Sequence, residues 1–243
     1  MTKAIKEALV RLQMNAIYLA TEGEGVHVGT PQVFVRFQGC SIGCLNCDSK
    51  DTWEFSQRFE MELKSVLEEV SKQGSKGKIK RVSITGGDPL HPLHIPGLLS
   101  LVKELKARGY YINLEAAGTR VVDEVFDLID FISFDYKTPS TGVKTSTKLL
   151  KRFVEQYPKR FQIKSVVQTK EDFDQAYKAW LWLSEQLPEV EIPWCLTPAY
   201  NLGESFPKER FESVMRWNVE EGAPFRVVGQ QHKWLYGPDR KEV

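Results

Sequence analysis

The sequence predicts an α/β protein, a partial (β/α)6 barrel that is open on one side. Three observations predict it. Short apolar segments alternate with segments of helical periodicity about six times along the 243 residues, a pattern that sets parallel strands side by side through right-handed crossovers. Six units fall short of the eight that close a full barrel. Cys40, Thr85, Glu115, Asp135 and Lys137 each fall at or just beyond the carboxyl end of a predicted strand, the rim on which such folds gather their chemistry.

The elements follow in order. Residues 14–21, around Ile17, Tyr18 and Leu19, read as a strand that runs into the acidic turn Glu22-Gly23-Glu24-Gly25. Residues 32–37 read as a buried strand, with Val33, Val35 and Phe37 on one face and Phe34 and Arg36 on the other. Leu63, Val66, Leu67 and Val70 recur at helical spacing in residues 59–73, and Gly74 offers the stop. A strand over 79–85 runs into two glycines. Leu98, Leu101, Val102 and Leu105 mark the next helix, which ends near Gly109, and the strand 110–114 then delivers Glu115. A brief helix over 121–129 and a strand over 131–136 carry Asp135 and Lys137 to the rim, with residues 139–142 as a loop. A helix over 146–156 and a strand over 162–167 follow. In the helix 171–187, Phe173, Ala176, Tyr177, Trp180 and Leu187 form an apolar stripe that belongs to the core. A sixth strand (190–196), a sixth helix (207–221) and a short strand (225–228) precede Gln230-Gln231-His232-Lys233-Trp234.

Composition narrows the class. Apolar residues make up 42% of the chain, enough for a sizeable core, and a repeat of this kind fills residues 1–243 as a single domain. The formal net charge of +1 points to neither nucleic acid nor an anionic membrane. Lys144, Lys148, Lys151 and Arg152 make a local basic stretch, which reads as a solvated helix face. The chain has no apolar run of the roughly 20 residues that a membrane span requires. Residues 1–7 lack a hydrophobic signal core, so the expected location is the cytoplasm.

The chemistry centres on Gln38-Gly39-Cys40-Ser41-Ile42-Gly43-Cys44-Leu45-Asn46-Cys47-Asp48, where three of the four cysteines share a C-x3-C-x2-C spacing. Thiolates this close converge on one soft metal centre. A structural zinc site closes with four ligands, so zinc needs Cys195 or a histidine to complete the set. A four-iron cluster held by three thiolates instead leaves one iron open to a small molecule, and free thiols are the third reading. Arg36, four residues before Cys40, is placed to clamp a carboxylate in bidentate fashion.

The cysteine spacing, followed by Ser83-Ile84-Thr85-Gly86-Gly87-Asp88-Pro89, resembles the cluster and glycine motifs of the radical S-adenosylmethionine (SAM) superfamily. The segment from Glu22 to Cys47, the stretch Asn113-Leu114-Glu115-Ala116-Ala117-Gly118-Thr119 and the terminal histidine segment narrow the resemblance to the 7-carboxy-7-deazaguanine synthase family. A glycyl-radical activating enzyme shares the cysteine spacing but not Arg36, the acidic turn and the terminal histidine. A non-enzymatic electron-transfer protein would lack the glycine motif.

The resemblance implies conversion of 6-carboxy-5,6,7,8-tetrahydropterin to 7-carboxy-7-deazaguanine with loss of ammonia, in queuosine-type deazapurine biosynthesis. It implies a [4Fe–4S] cluster on Cys40, Cys44 and Cys47, whose open iron binds SAM, with Gly86, Gly87, Asp88, Ser133, Asp135 and Lys137 around the cofactor. Glu22, Glu24, Arg36, Thr85, Glu115 and His232 would hold the pterin, Arg36 through its carboxylate. Mg2+ would sit on Ser49, a position where threonine is common. An electron donor such as flavodoxin or ferredoxin and a homodimer are further implied. Two positions depart from the family pattern. Asp88 replaces a glutamate, and Glu22 stands where glutamine is expected, which exchanges a neutral donor–acceptor for an acceptor alone.

Overall fold

The computed structural model describes residues 10–243, so the expectation drawn from residues 1–7 lies outside the described residues. Among the described residues nine strands form one sheet in the order β3-β1-β2-β4-β5-β6-β7-β8-β9, where β1 is Arg11–Thr21, β2 Pro31–Phe37, β3 Glu60–Glu62, β4 Arg81–Gly86, β5 Tyr111–Ala116, β6 Phe131–Asp135, β7 Phe161–Val167, β8 Trp194–Pro198 and β9 Arg226–Val227. From β2 through β9 every neighbouring pair is parallel. The sheet is not closed: β3 and β9 are its two edges. The predicted open parallel architecture is therefore present.

One strand, β1, runs against the expected direction. β1 pairs antiparallel with β2 on one side and with β3 on the other. Only a short turn separates β1 from β2, and a connection that short reverses the chain, whereas a parallel neighbour needs a crossover of a dozen or more residues. β3 also shortens the predicted helix over 59–73. Residues 60–62 pair with Arg11, Leu12 and Gln13, so the helix begins at Leu63.

The helices cover the sheet with the faces that the periodicity marked. Helix α1 (Leu63–Gln73) buries Leu63, Val66, Leu67 and Val70 and ends at Gly74. Helix α2 (Ile95–Ala107) buries Leu98, Leu101, Val102 and Leu105. Helix α3 (Asp123–Phe126) is a single turn. Helix α4 (Thr147–Gln156) is capped by Ser146, whose side chain accepts from Leu149 N. Within the basic stretch, Lys151 pairs with Glu155 and Arg152 with Asp123, as a solvated face should.

Helix α5 (Lys170–Gln186) starts in a capping box made by Thr169 and Asp172, and its Phe173 is buried against Trp217 and Phe225. Helix α6 (Lys208–Glu220) follows. The sixth strand begins later than expected, at Trp194, because Pro188 and Pro193 bracket a turn and neither has an N–H for the ladder. The last helix, α7 (Gln231–Tyr236), falls where no helix was expected. No helix among the described residues is long and apolar enough to cross a membrane.

Candidate active site

Strand side chains alternate with a period of two, so each strand contributes one residue per layer to the concave face of the sheet. The lower layer is a buried polar floor. Asn113 Nδ2 donates to Ser83 Oγ (2.8 Å), Ser133 Oγ to Asn113 Oδ1 (3.3 Å) and Gln162 Nε2 to Ser133 Oγ (2.7 Å). Two residues further along each strand, Thr85, Glu115, Asp135 and Lys164 form the upper layer and line a cavity of about 770 Å³. The rim predicted from the sequence is the mouth of this cavity.

The acidic turn folds inward against that layer rather than out to solvent. Gly25 has φ 67°, and a Cβ there would lie 2.3 Å from Gln162 Oε1, so the backbone approaches the floor closely enough for Val26 N to donate to Gln162 Oε1 (2.7 Å). Glu24 and Glu115 thereby meet at one ammonium group, with Glu22 beside them. Lys164 Nζ lies 2.6 Å from Glu115 Oε2 and 3.1 Å from Glu24 Oε2. Glu24 Oε1 accepts from Gln230 Nε2 (2.7 Å), and Glu115 Oε1 from Asn113 Nδ2 (2.8 Å). Burial opposes charge on Glu24, but Lys164, His232 and the Gln230 amide outweigh it and hold the carboxyl down to about 2. Glu22 behaves in the opposite way. Burial, with Glu115 adding to it, pushes its carboxyl up to about 7, against the pull of Lys164.

Across the cavity, Arg36 on β2 donates through NH2 to the Tyr18 hydroxyl (2.9 Å) on β1, which leaves the rest of its fork facing the pocket that it lines. His232, at the start of α7, faces Glu24, and burial lowers its affinity for a proton. Lys233 is buried, bonding Tyr200 O (2.9 Å) and Asp48 Oδ2 (2.9 Å). It thereby fastens α7 to the cysteine loop.

Cys40, Cys44 and Cys47 lie on the loop after β2, unpaired and half-buried, and all three line the cavity. Backbone bonds from Gly39 N to Thr52 O (2.7 Å), Cys40 N to Trp53 O (3.1 Å) and Leu45 N to Thr141 O (2.9 Å) pin the loop. Cys195 is buried in β8 with its Sγ 3.8 Å from Gln162 Oε1, in the floor rather than at the loop. His91 and His94 pack against Phe55 at tilted ring angles, outside the cavity. Among the described residues, three soft thiols thus face an open pocket, and Cys195, His91 and His94 lie away from it. This donor set fits a [4Fe–4S] cluster with one exposed iron and does not fit a closed structural zinc site.

The glycine motif packs the site as well as lining it. A Cβ on Gly86 (φ 127°) would lie 2.3 Å from Phe37 N, and one on Gly87 would lie 2.4 Å from Gly39 O. The bare backbones let Gly87 N reach Phe37 O (3.1 Å) and Asp88 N reach Gly39 O (3.0 Å). Thr85, Gly86, Gly87, Asp135, Lys137 and Ser49 all border the cavity. Lys137 Nζ pairs with Asp135 Oδ2 (2.7 Å), and Ser49 Oγ donates to Asp48 Oδ1 (3.1 Å).

Two predicted cofactor residues lie elsewhere. Asp88 turns away from the cavity: its Oδ1 accepts from Leu90 N (3.1 Å) to close a turn, and its Oδ2 faces Arg120 NH2 at 3.5 Å. Ser133 lies two residues before Asp135 on the same strand and belongs to the floor. Conversely, Lys164, Gln230, Lys233 and Tyr18 escaped the sequence reading. For Lys164 the signal was present, since a lysine in the middle of an otherwise buried strand needs partners.

An open parallel half-barrel whose carboxyl rim carries a three-thiol loop and a glycine-lined cavity defines a radical SAM enzyme. A model of the 4Fe-4S single cluster domain family matches residues 21–123. The chain is 29% identical over 235 residues to 7-carboxy-7-deazaguanine synthase of Pyrobaculum aerophilum, covering 96% of this chain and 98% of the relative. It is 31% identical over 214 residues to the Synechocystis enzyme of the same name, covering 88% of each. The crystal structure of QueE from Escherichia coli superimposes with a TM-score of 0.65 at 20% identity, covering 95% of this chain and 99% of that one. The chain belongs to the 7-carboxy-7-deazaguanine synthase family.

Proposed function

We propose that this chain converts 6-carboxy-5,6,7,8-tetrahydropterin to 7-carboxy-7-deazaguanine with loss of ammonia, within deazapurine biosynthesis. The observation that carries the reading is one cavity that joins three thiols to a guanidinium on one wall and a carboxylate cluster on another. That is the complement of a flat heterocycle with a carboxylate at one end and amino and ring N–H donors at the other. Arg36 grips the substrate carboxylate. Glu22, Glu24 and Glu115 orient the donors, Thr85 and His232 border the ring, and α7 with its buried Lys233 keeps water out. When bound to Cys40, Cys44 and Cys47, the [4Fe–4S] cluster supplies the electron that cleaves SAM. Gly86, Gly87, Asp135 and Lys137 lie on the cavity wall beside the cysteine loop, where they position SAM.

The finer assignments rest on the same reading. Ser49 would supply a hard oxygen ligand to Mg2+. A flavodoxin- or ferredoxin-type donor reduces the cluster, residues 1–243 work as one catalytic domain in a homodimer, and the enzyme acts in the cytoplasm. The test is anaerobic reconstitution with iron and sulfide, then incubation with reductant, SAM, Mg2+ and the pterin, with mass spectrometry of the products. The expected result is 7-carboxy-7-deazaguanine from the wild type and neither product nor cluster absorbance from Cys44→Ala. Formation of 5′-deoxyadenosine without the deazapurine would sink the substrate assignment and leave the radical SAM chemistry standing.

A further inference from the structure

Three carboxyl groups and one lysine meet at the back of the cavity, and the contacts among them are unequal. Lys164 touches Glu115 and Glu24, while the partners of Glu22 are Gln32 Nε2 at 2.7 Å and the backbone N–H of Glu24 at 3.2 Å. Glu22 is also nearly out of reach of water, at 7% exposure. The groups that face it are Glu24 on its own turn, Gln32 on β2, Glu115 on β5 and Lys164 on β7. With all three carboxyls ionised, this water-poor corner would carry two uncompensated negative charges, and like charges so placed drive one carboxyl to keep its proton. The ammonium at Glu24 and Glu115 decides which one.

We propose that Lys164 is a positioning residue that takes Glu24 and Glu115 as its ion-pair partners and leaves Glu22 to meet the substrate as the neutral acid. This deepens the pterin reading above and rests on it. Ionised carboxylates accept hydrogen bonds only, whereas a protonated carboxyl donates one and still accepts. The proposed heterocycle carries a ring carbonyl beside its N–H donors, so a site made of acceptors alone would leave that carbonyl facing negative oxygens. A protonated Glu22 supplies the missing donor. Gln32 is held in turn by Arg81 Nε on its Oε1 (3.1 Å), which fixes its amide nitrogen toward Glu22 and orients the carboxyl.

The experiment measures the dissociation constant of the pterin for the cluster-loaded enzyme with SAM and Mg2+, without reductant, from pH 6 to pH 8.5. In the wild type, binding weakens at least tenfold across that range as Glu22 loses its proton. Glu22→Gln, which keeps a donor and an acceptor at every pH, reduces the change to under threefold. Lys164→Met moves the midpoint of the profile up by about one pH unit or more, as loss of a neighbouring opposite charge does. Lys164→Arg, which keeps the charge, leaves the midpoint in place and also controls for folding. A wild-type constant that is flat with pH, or the same steep profile in Glu22→Gln, overturns the proton on Glu22. An unmoved midpoint in Lys164→Met overturns the role of the lysine. Absence of pterin binding at every pH overturns the substrate reading instead, so the two failures are distinguishable.

Discussion

Gly23 and His232 sit so close that a Cβ added to the glycine would lie 2.1 Å from the imidazole Nδ1. The two are 209 positions apart in sequence by their residue numbers, and they are clamped by the bond from Gln231 N to Gly23 O (2.9 Å). The acidic turn and α7 therefore form one wall, and the bare glycine is what lets the imidazole reach the cavity. In Gly23→Ala the ring and the start of α7 must shift, at a cost of about 1–3 kcal/mol for overpacking. The expected outcome is a KM for the pterin raised about tenfold or more, with the cluster spectrum unchanged. Steady-state kinetics beside the absorbance spectrum checks it, and an unaltered KM would show that His232 is not needed at the substrate.

Arg36 enters the cavity from β2, held through Tyr18. Arg36→Ala leaves a buried substrate carboxylate without its partner, so pterin binding weakens by roughly 2–5 kcal/mol, the usual loss on truncating one member of such a pair. Cleavage of SAM in the absence of pterin stays measurable because the cysteine loop keeps its own backbone bonds to Thr52, Trp53 and Thr141. Calorimetric titration with pterin and assay of 5′-deoxyadenosine separate the two effects. Equal losses in both would mean that the arginine supports the loop and not the substrate.

The sequence made legible whatever obeys a local period. Val33, Val35 and Phe37 are buried while Phe34 and Arg36 line the cavity, as alternation along β2 required. The buried faces of α1 and α2 followed the 3.6-residue spacing in the same way. What was not legible depends on strand depth and on chain reversal. Ser133 and Asp135 have the same parity, and only the stagger of neighbouring strands puts one in the floor and the other at the rim. β3 has three residues and no apolar signature of its own; its pairing with Arg11, Leu12 and Gln13 is a tertiary event. The side chain of Asp88 was expected at the cofactor, yet a short carboxylate just after a strand finds the next free N–H, that of Leu90, before it finds a ligand.

Asp172 ties the start of α5 to the loop 139–142, which braces the cysteine segment. Its carboxylate accepts from Ser140 N (2.8 Å), Ser140 Oγ (2.6 Å), Gln168 N (2.9 Å) and Thr169 N (2.9 Å). Ser140 adjoins Thr141, whose carbonyl holds Leu45 N. Burial opposes ionisation, but these bonds win and hold the carboxyl below its ordinary range. A depressed carboxylate stabilises the fold above its unfolded pKa, about 3.9, and that stability is lost as pH falls through the folded value. Asp172→Ala is expected to cost about 2–3 kcal/mol near neutral pH and to lower cluster occupancy after reconstitution. Urea unfolding at pH 7 and pH 3 checks it: a penalty that does not shrink at the lower pH would contradict an ionised cap.

Glu22 has the opposite linkage. Its folded value of about 7 lies above the ordinary 4.5, so the folded chain keeps a proton that the unfolded chain releases first. The resulting stability is fully present below pH 4.5, declines as pH rises, and is gone above pH 7. At about 1.4 kcal/mol per pH unit, the loss amounts to roughly 3 kcal/mol for a group this deeply buried. Glu22→Gln removes the titration, so the variant should be more stable than wild type at pH 8 by about 2–3 kcal/mol, with the difference shrinking toward pH 5. Urea midpoints of the cluster-free proteins at the two pH values give the comparison, free of the metal's own contribution. An advantage of the same size at both pH values would point to packing rather than charge. The expected pattern would mean instead that the chain tolerates a destabilising carboxyl at this position, which is the usual mark of a residue retained for what it does to a ligand.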